Sequence, residues 1–211
     1  EHMIFLLLAA HDTTTSTLTS AIHHLSTNKI FYDELRKESE VITLTDISEL
    51  KNGTKAESLF SEAMRKYPPV PFSVRYVMRD TIVDDYKLDG GTYVAIGPLV
   101  LHNDERYWDD PETYNPTRFL NSDDINEAYF PFSGGAHTCL GKFFASYLFK
   151  NVVYKLATNF TQISSTEPLS INPAPIPYPR KDLKINISWI SPPKVREKYI
   201  SNYLAIKQIY M

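Results

Sequence analysis

The 211-residue chain is short of cysteine, of glycine and of excess positive charge. Its one cysteine, Cys139, excludes an internal disulfide and leaves too few thiols for a cysteine-rich zinc site. That usage fits a reducing, intracellular compartment. With 22 Lys and Arg against 25 Asp and Glu, the net charge is −3. No basic field exists to attract nucleic acid, and no nucleic-acid partner is expected. A long apolar run is also missing. The opening HMIFLLLAA has no basic leader, ends at His11-Asp12 and is too short to span a bilayer. Because the chain begins at Glu1 inside a helical pattern, its true N-terminus is expected to lie upstream, which leaves membrane anchoring open. There are no internal repeats. The length suffices for one sizeable core or a large piece of one.

Glycine is scarce but concentrated. Of seven glycines, Gly134, Gly135 and Gly141 crowd around the lone thiol in FSGGAHTCLG, Phe132 to Gly141. A lone cysteine is ordinarily a buried structural thiol. Here Gly134 and Gly135 open backbone conformations closed to other residues and let a flat ligand approach closely. The helix expected to begin near Cys139 offers its N-terminal amides to a charged sulfur. Such a sulfur serves either as a metal ligand or as a nucleophile with His137 as its base.

Around this loop the chain reads as mainly α with small β-sheets. Helical spacing covers Met3 to about Leu25, Ile30 to about Glu40, and about Lys55 to Tyr67, stopped by Pro68-Pro69. Leu44 to Lys55 reads as a polar connection, with Thr45 or Asp46 as N-cap. Ser73 to Val77, Thr81 to Val83 and KLDGGTYVAIGPLVL predict strands, with Gly90-Gly91 turning between two of them. Asn103 to Phe132 is a long loop rich in Asp, Pro, Asn, Trp and Tyr, of the kind that needs specific contacts to hold it. After Cys139, the residues Leu140, Phe143, Phe144, Tyr147, Leu148, Val152, Leu156 and Phe160 form a broad apolar helical stripe. The proline-alternating INPAPIPYP is expected to be extended, LKINISWI to be a strand, and residues 192–211 to form a tail of unassigned structure.

The spacing Phe132, Gly135, Cys139, Gly141, with Ala145 beyond, resembles the haem-ligand signature of the cytochrome P450 family. Three further stretches resemble that family in order: AAHDTT (Ala9 to Thr14), the E-x-x-R pair Glu62 and Arg65, and HNDERYWDDPETYNPTRF ending in Pro116 to Phe119. An acid and a base three apart on a helix carry little information alone. The resemblance runs from Glu1 to about Ile190 and implies the C-terminal half of the cytochrome P450 fold over residues 1–191. The segments that usually lie over the substrate are not in it.

The resemblance implies haem b (iron protoporphyrin IX) as cofactor and Cys139 as its iron ligand. His137 and Arg75 would face the haem propionates, and Phe132, Gly135 and Gly141 would shape the thiolate side. Glu62, Arg65 and Arg118 would form a charged network holding the long loop. Asp12 and Thr13 would form the acid–alcohol pair on the oxygen side, in a hydroxyl-rich helix able to open its ladder to water. Ala10 stands where the family commonly has glycine, and its methyl narrows that groove. His11 reads as a helix-face residue. The implied activity is a monooxygenase that takes dioxygen and a small apolar organic substrate, with electrons from a separate reductase or ferredoxin, since no flavin or nicotinamide fingerprint is present. Two rival readings stand beside it: a non-catalytic fragment that binds haem weakly or not at all, and a cysteine nucleophile assisted by His137.

Overall fold

The computed structural model describes residues 2–120, 126–172, 177–179 and 183–190; the tail expected at 192–211 lies outside them. The architecture is α+β, dominated by helices. Helix α1 (His2–Thr27) is followed by α2 (Lys29–Ser39), the short α3 (Ile47–Lys51) and α4 (Thr54–Lys66). Four short strands follow, β1 (Ser73–Tyr76), β2 (Thr81–Val83), β3 (Tyr86–Leu88) and β4 (Tyr93–Ile96), then the single turn α5 (Pro98–Leu101). The long helix α6 (Lys142–Asn159) leads into β5 (Phe160–Ser164), β6 (Ile171–Asn172), β7 (Tyr178–Pro179) and β8 (Asn186–Trp189).

The polar connection before α4 contains α3, capped by the Asp46 carboxylate, which accepts from the Ser48 amide at 2.8 Å. Helix α4 is the hub and packs against α1, α2 and α6. Its apolar face (Ala56, Leu59, Phe60, Ala63) joins Leu25, Leu35, Phe149 and Val153 in one core. Gly53 at its N-cap has no side chain to offer, and the Glu38 carboxylate from α2 replaces it. That carboxylate accepts from the amides of Lys55 (2.9 Å) and Ala56 (3.3 Å) and from the hydroxyls of Thr54 (3.1 Å) and Tyr154 (2.8 Å). A Cβ on Gly53 would lie 1.9 Å from the Tyr154 hydroxyl, so the crossing of α4 and α6 requires glycine there.

The strands pair differently from the sequence expectation. Gly90-Gly91 does not close a hairpin between the strands that flank it. Instead β4 returns to β1, with Arg75 opposite Val94, and β2 pairs with β3 through a turn in which Asp84 has φ 54°. One hairpin is thus nested inside another, and Gly91, at φ 92°, links the two. Phe160 ends no helix either. It opens β5, opposite Trp189 of β8, with the two rings 4.3 Å apart. The proline-rich stretch is extended where described, with β6 and β7 paired.

Two imidazoles sit in the interior. His24 stacks on Tyr114 with ring centroids 4.3 Å apart, and His102, just after α5, is fully buried. Burial pulls both down to about 4, helped at His24 by neighbouring His23 and at His102 by the Arg65 charge. The unfolded chain, with imidazoles near 6.5, therefore binds protons that the folded chain refuses. Stability is expected to fall as pH drops from about 6.5 to about 4, with no further loss from these groups below that, and His24→Phe should remove about half of their slope. Urea titrations across this pH range measure it. In the same assay at neutral pH, Gly53→Ala is expected to cost about 1–3 kcal/mol through overpacking against Tyr154.

Candidate functional site

Cys139 stands at the end of a tight loop. Ser133 and Gly135 adopt left-handed backbones, φ 61° and 60°, and Gly135–His137 forms a single 3-10 turn. The Cys139 amide donates to the Phe132 carbonyl at 3.0 Å, closing the loop on itself. Helix α6 begins at Lys142, three residues later than the sequence suggested, with Gly141 as its N-cap. The sulfur lies against that N-cap, since a Cβ on Gly141 would meet Sγ at 3.8 Å. Cys139 and His137 are both exposed, and no hydrogen bond joins them among the described residues.

Beside this loop lies a cavity of about 630 Å³. Helix α1 supplies Ala9, Thr13, Thr14 and Thr17, and α4 supplies Phe60 and Met64. Strands β1 and β4 add Ser73, Arg75 and Ile96, and α6 adds Ala145 and Phe149. The loop contributes Phe132, Ser133, Gly134, His137 and Cys139. No carboxylate is among these described lining residues; the charge-bearing groups are Arg75 and, when protonated, His137. Arg75 reaches the loop directly, donating from Nη2 to Ser133 Oγ at 3.2 Å and from Nη1 to Ser73 Oγ at 2.7 Å. Phe132 packs on Phe60, ring centroids 6.0 Å apart. Cβ atoms added at Gly134 or Gly135 would meet nothing within 4 Å, so the loop leaves open space where a side chain would stand. The space can take a flat, mostly apolar ligand with acidic groups toward Arg75 and a metal or electrophile toward Cys139.

Thr13 is half-buried and lines the cavity; Asp12 is exposed and does not. Asp12 pairs with its neighbour His11 at 2.8 Å. The hydroxyl-rich stretch, able to open its ladder, leaves α1 continuous in this structure. The Thr13 hydroxyl donates back to the Ala9 carbonyl at 2.8 Å and the Thr17 hydroxyl to the Thr13 carbonyl at 3.0 Å. The hydroxyls add a bond to the existing carbonyls and leave the helix whole.

Glu62, Arg65 and Arg118 come together. Glu62 and Arg65 have no solvent exposure. Arg65 donates from Nε and Nη2 to the two carboxylate oxygens of Glu62, both at 2.8 Å, from Nη1 to the His102 carbonyl at 2.7 Å, and from Nη2 to the Thr113 carbonyl at 3.2 Å. Glu62 also accepts from the Asn115 amide at 2.7 Å, and Arg118 approaches it to 3.3 Å. Arg118 then donates to the carbonyls of Asp109, Asp110 and Thr113. The charges are thus paired and the loop's carbonyls satisfied from one point.

Sequence reasoning missed Met64, Phe60, Ile96 and Ser133 as cavity residues. The i, i+4 spacing of Phe60 and Met64 on α4 was a usable signal for the first pair. Nothing local marks Ser133 apart from its position beside two glycines.

The family model for cytochrome P450 matches residues 1–186. Cytochrome P450 136 of Mycobacterium tuberculosis is 33% identical over 165 residues, which make up 75% of this chain and 34% of that protein. Cytochrome P450 4e2 of Drosophila melanogaster is 30% identical over 179 residues, 80% of this chain and 34% of that protein. Protein LUTEIN DEFICIENT 5, chloroplastic, of Arabidopsis thaliana is 30% identical over 165 residues, 72% of this chain and 27% of that protein. The chain spans about a third of the length of the curated relatives it matches.

The buried network makes a graded prediction. Arg65→Ala, which leaves the buried Glu62 carboxylate only Arg118 and the Asn115 amide, is expected to cost about 3–5 kcal/mol in denaturant unfolding. Arg65→Lys should recover little of it, because an ammonium cannot reproduce the planar fork. Arg118→Ala, at the edge of the network, should cost less than either.

Proposed function

The chain belongs to the cytochrome P450 family, and we propose that its residues 1–191 are the C-terminal, cofactor-holding half of a haem-thiolate monooxygenase. One observation carries the reading: the lone thiol, Cys139, opens into an apolar cavity whose charge-bearing groups are Arg75 and His137, with no carboxylate among the described lining residues. That donor set fits haem b. It offers one soft ligand for iron, hydrogen-bond donors for two carboxylates, apolar walls for the macrocycle and open space over Gly134 and Gly135.

In this reading Cys139 is the iron ligand, and Arg75 and His137 hold the propionates. Arg75 is already oriented by Ser73 and Ser133. Phe132, packed on Phe60, would limit water on the thiolate side once haem is bound. Gly135 and Gly141 allow the loop and the start of α6 to approach without side chains. When bound and reduced by a separate reductase or ferredoxin, haem supplies dioxygen activation and insertion of one oxygen atom into a small apolar organic substrate. Thr13 offers a hydroxyl at the cavity wall, and exposed Asp12, one residue away, would relay protons from solvent. Ala10 stands on the same helix but is exposed and is not among the residues lining the cavity, where Ala9 stands instead.

No described helix is long and apolar enough to cross a membrane. The single cysteine supports an intracellular, reducing setting. Exposed apolar side chains favour a second reading for these residues taken alone. Met3 to Leu8 on α1, and Leu140 and Phe143 at 97% and 83% exposure, lack cover. These residues by themselves would then be non-catalytic and hold haem weakly or not at all.

Expression of the full chain with haem, reduction and addition of carbon monoxide separates the readings. The long-wavelength Soret band of thiolate ligation is expected, and Cys139→Ala should abolish it. Arg75→Ala and His137→Ala should keep the band and release haem about tenfold faster each, on the scale of one charged hydrogen bond. Absence of bound haem in the wild type would favour the second reading.

A further inference from the structure

His102 belongs to none of the roles above, yet it touches both halves of the site. Its carbonyl accepts from Arg65 Nη1 at 2.7 Å, and its Nε2 accepts from the Phe130 amide at 3.1 Å. Accepting at Nε2 fixes the neutral tautomer with the proton on Nδ1. The residue is fully buried between Tyr129 and Phe130, ring centroids 5.4 and 5.5 Å away. Nδ1 makes no well-formed hydrogen bond among the described residues, although backbone groups of Arg65 and Met64 lie close enough to favour a proton on the ring. A buried, poorly paired N–H opposes folding. An apolar ring would pack there without it, so the feature that distinguishes histidine here is the acceptor at Nε2.

We propose that His102 is a positioning residue for the cysteine loop, its neutral imidazole tying the start of that loop to the buried Glu62–Arg65 pair. Further hydrogen bonds follow along the loop. The Phe130 carbonyl accepts from the Ser133 amide at 3.1 Å, Ser133 Oγ accepts from Arg75, and the Phe132 carbonyl accepts from the Cys139 amide at 3.0 Å. Phe130 lines the cavity itself. Freed at its amide, the segment from Phe130 would lose its fixed starting point, and the sulfur its fixed height over the cavity. The part of this inference that concerns iron rests on the haem-thiolate reading; the part that concerns loop order does not.

The test compares wild type, His102→Leu and His102→Gln in the full chain. Leucine fills space without an acceptor, whereas glutamine restores a carbonyl acceptor. Amide hydrogen exchange over Phe130 to Cys139 should accelerate at least tenfold in His102→Leu, with α4 and α6 unchanged, and His102→Gln should restore most of the protection. In the haem-loaded protein the reduced carbon monoxide complex should shift toward the short-wavelength band in His102→Leu, with haem retained, and not in His102→Gln. Exchange that is unchanged, accelerated uniformly through the core, or equally fast in both variants overturns the proposal. A wild type without the long-wavelength band overturns the haem-thiolate reading, and the exchange measurement still decides the role of His102.

Discussion

The Glu62–Arg65 ion pair, closed to solvent and extended by Arg118, is the constraint on which the rest of the structure depends. Two charges in an apolar interior are tolerable only when they are paired and well hydrogen-bonded. Arg65 meets that demand by recruiting carbonyls from His102 and Thr113, and Glu62 by recruiting the Asn115 amide. The demand of the buried pair is therefore what orders the segment after α5. An irregular stretch with few helical or strand hydrogen bonds of its own is held by side chains of α4 instead. Trp108 lies against the Arg65 guanidinium at 5.3 Å, giving the same point an aromatic cover.

From this anchored segment the chain enters the cysteine loop already oriented. Helix α4 thus presents the charged pair to the long loop and, from an adjoining face of the same turns, Phe60 and Met64 to the cavity. A single helix sets both the support and the wall. The other walls come from elements that meet α4: α1 with its threonines and α6 with Ala145 and Phe149. The cleft owes its shape to helix packing and its polarity to the two residues, Arg75 and His137, delivered by a strand and a loop.

Much of this was legible. Amphipathic spacing located α1, α2, α4 and α6, and glycine crowding located the loop. The union of Glu62, Arg65 and Arg118 was legible only through family resemblance, because an acid–base pair on a helix reads the same whether solvated or buried. Other features escaped for physical reasons. Gly90-Gly91 has the chemistry of a hairpin turn, but pairing was decided by the longer-range match of β1 with β4. Phe160 continues an apolar helical stripe and also suits a strand, and its partner Trp189 settled the matter from 29 residues away. Phe143 and Phe144 kept the right period on α6 yet remain exposed, and exposed Leu140 falls before the helix. Periodicity reports a face, not what covers it.

The hydrogen bond from Ser16 Oγ to the Pro177 carbonyl, 2.5 Å long and buried, joins residues 161 positions apart. His23 likewise reaches the Glu167 carbonyl across 144 residues. During synthesis, α1 emerges long before either carbonyl exists. Its polar buried face must wait, hydrated or otherwise occupied, while α2, α4 and α6 leave the ribosome. The early helix thus completes its contacts among the last in time. A nascent chain arrested before Pro177 carries an α1 whose buried serine still lacks this partner.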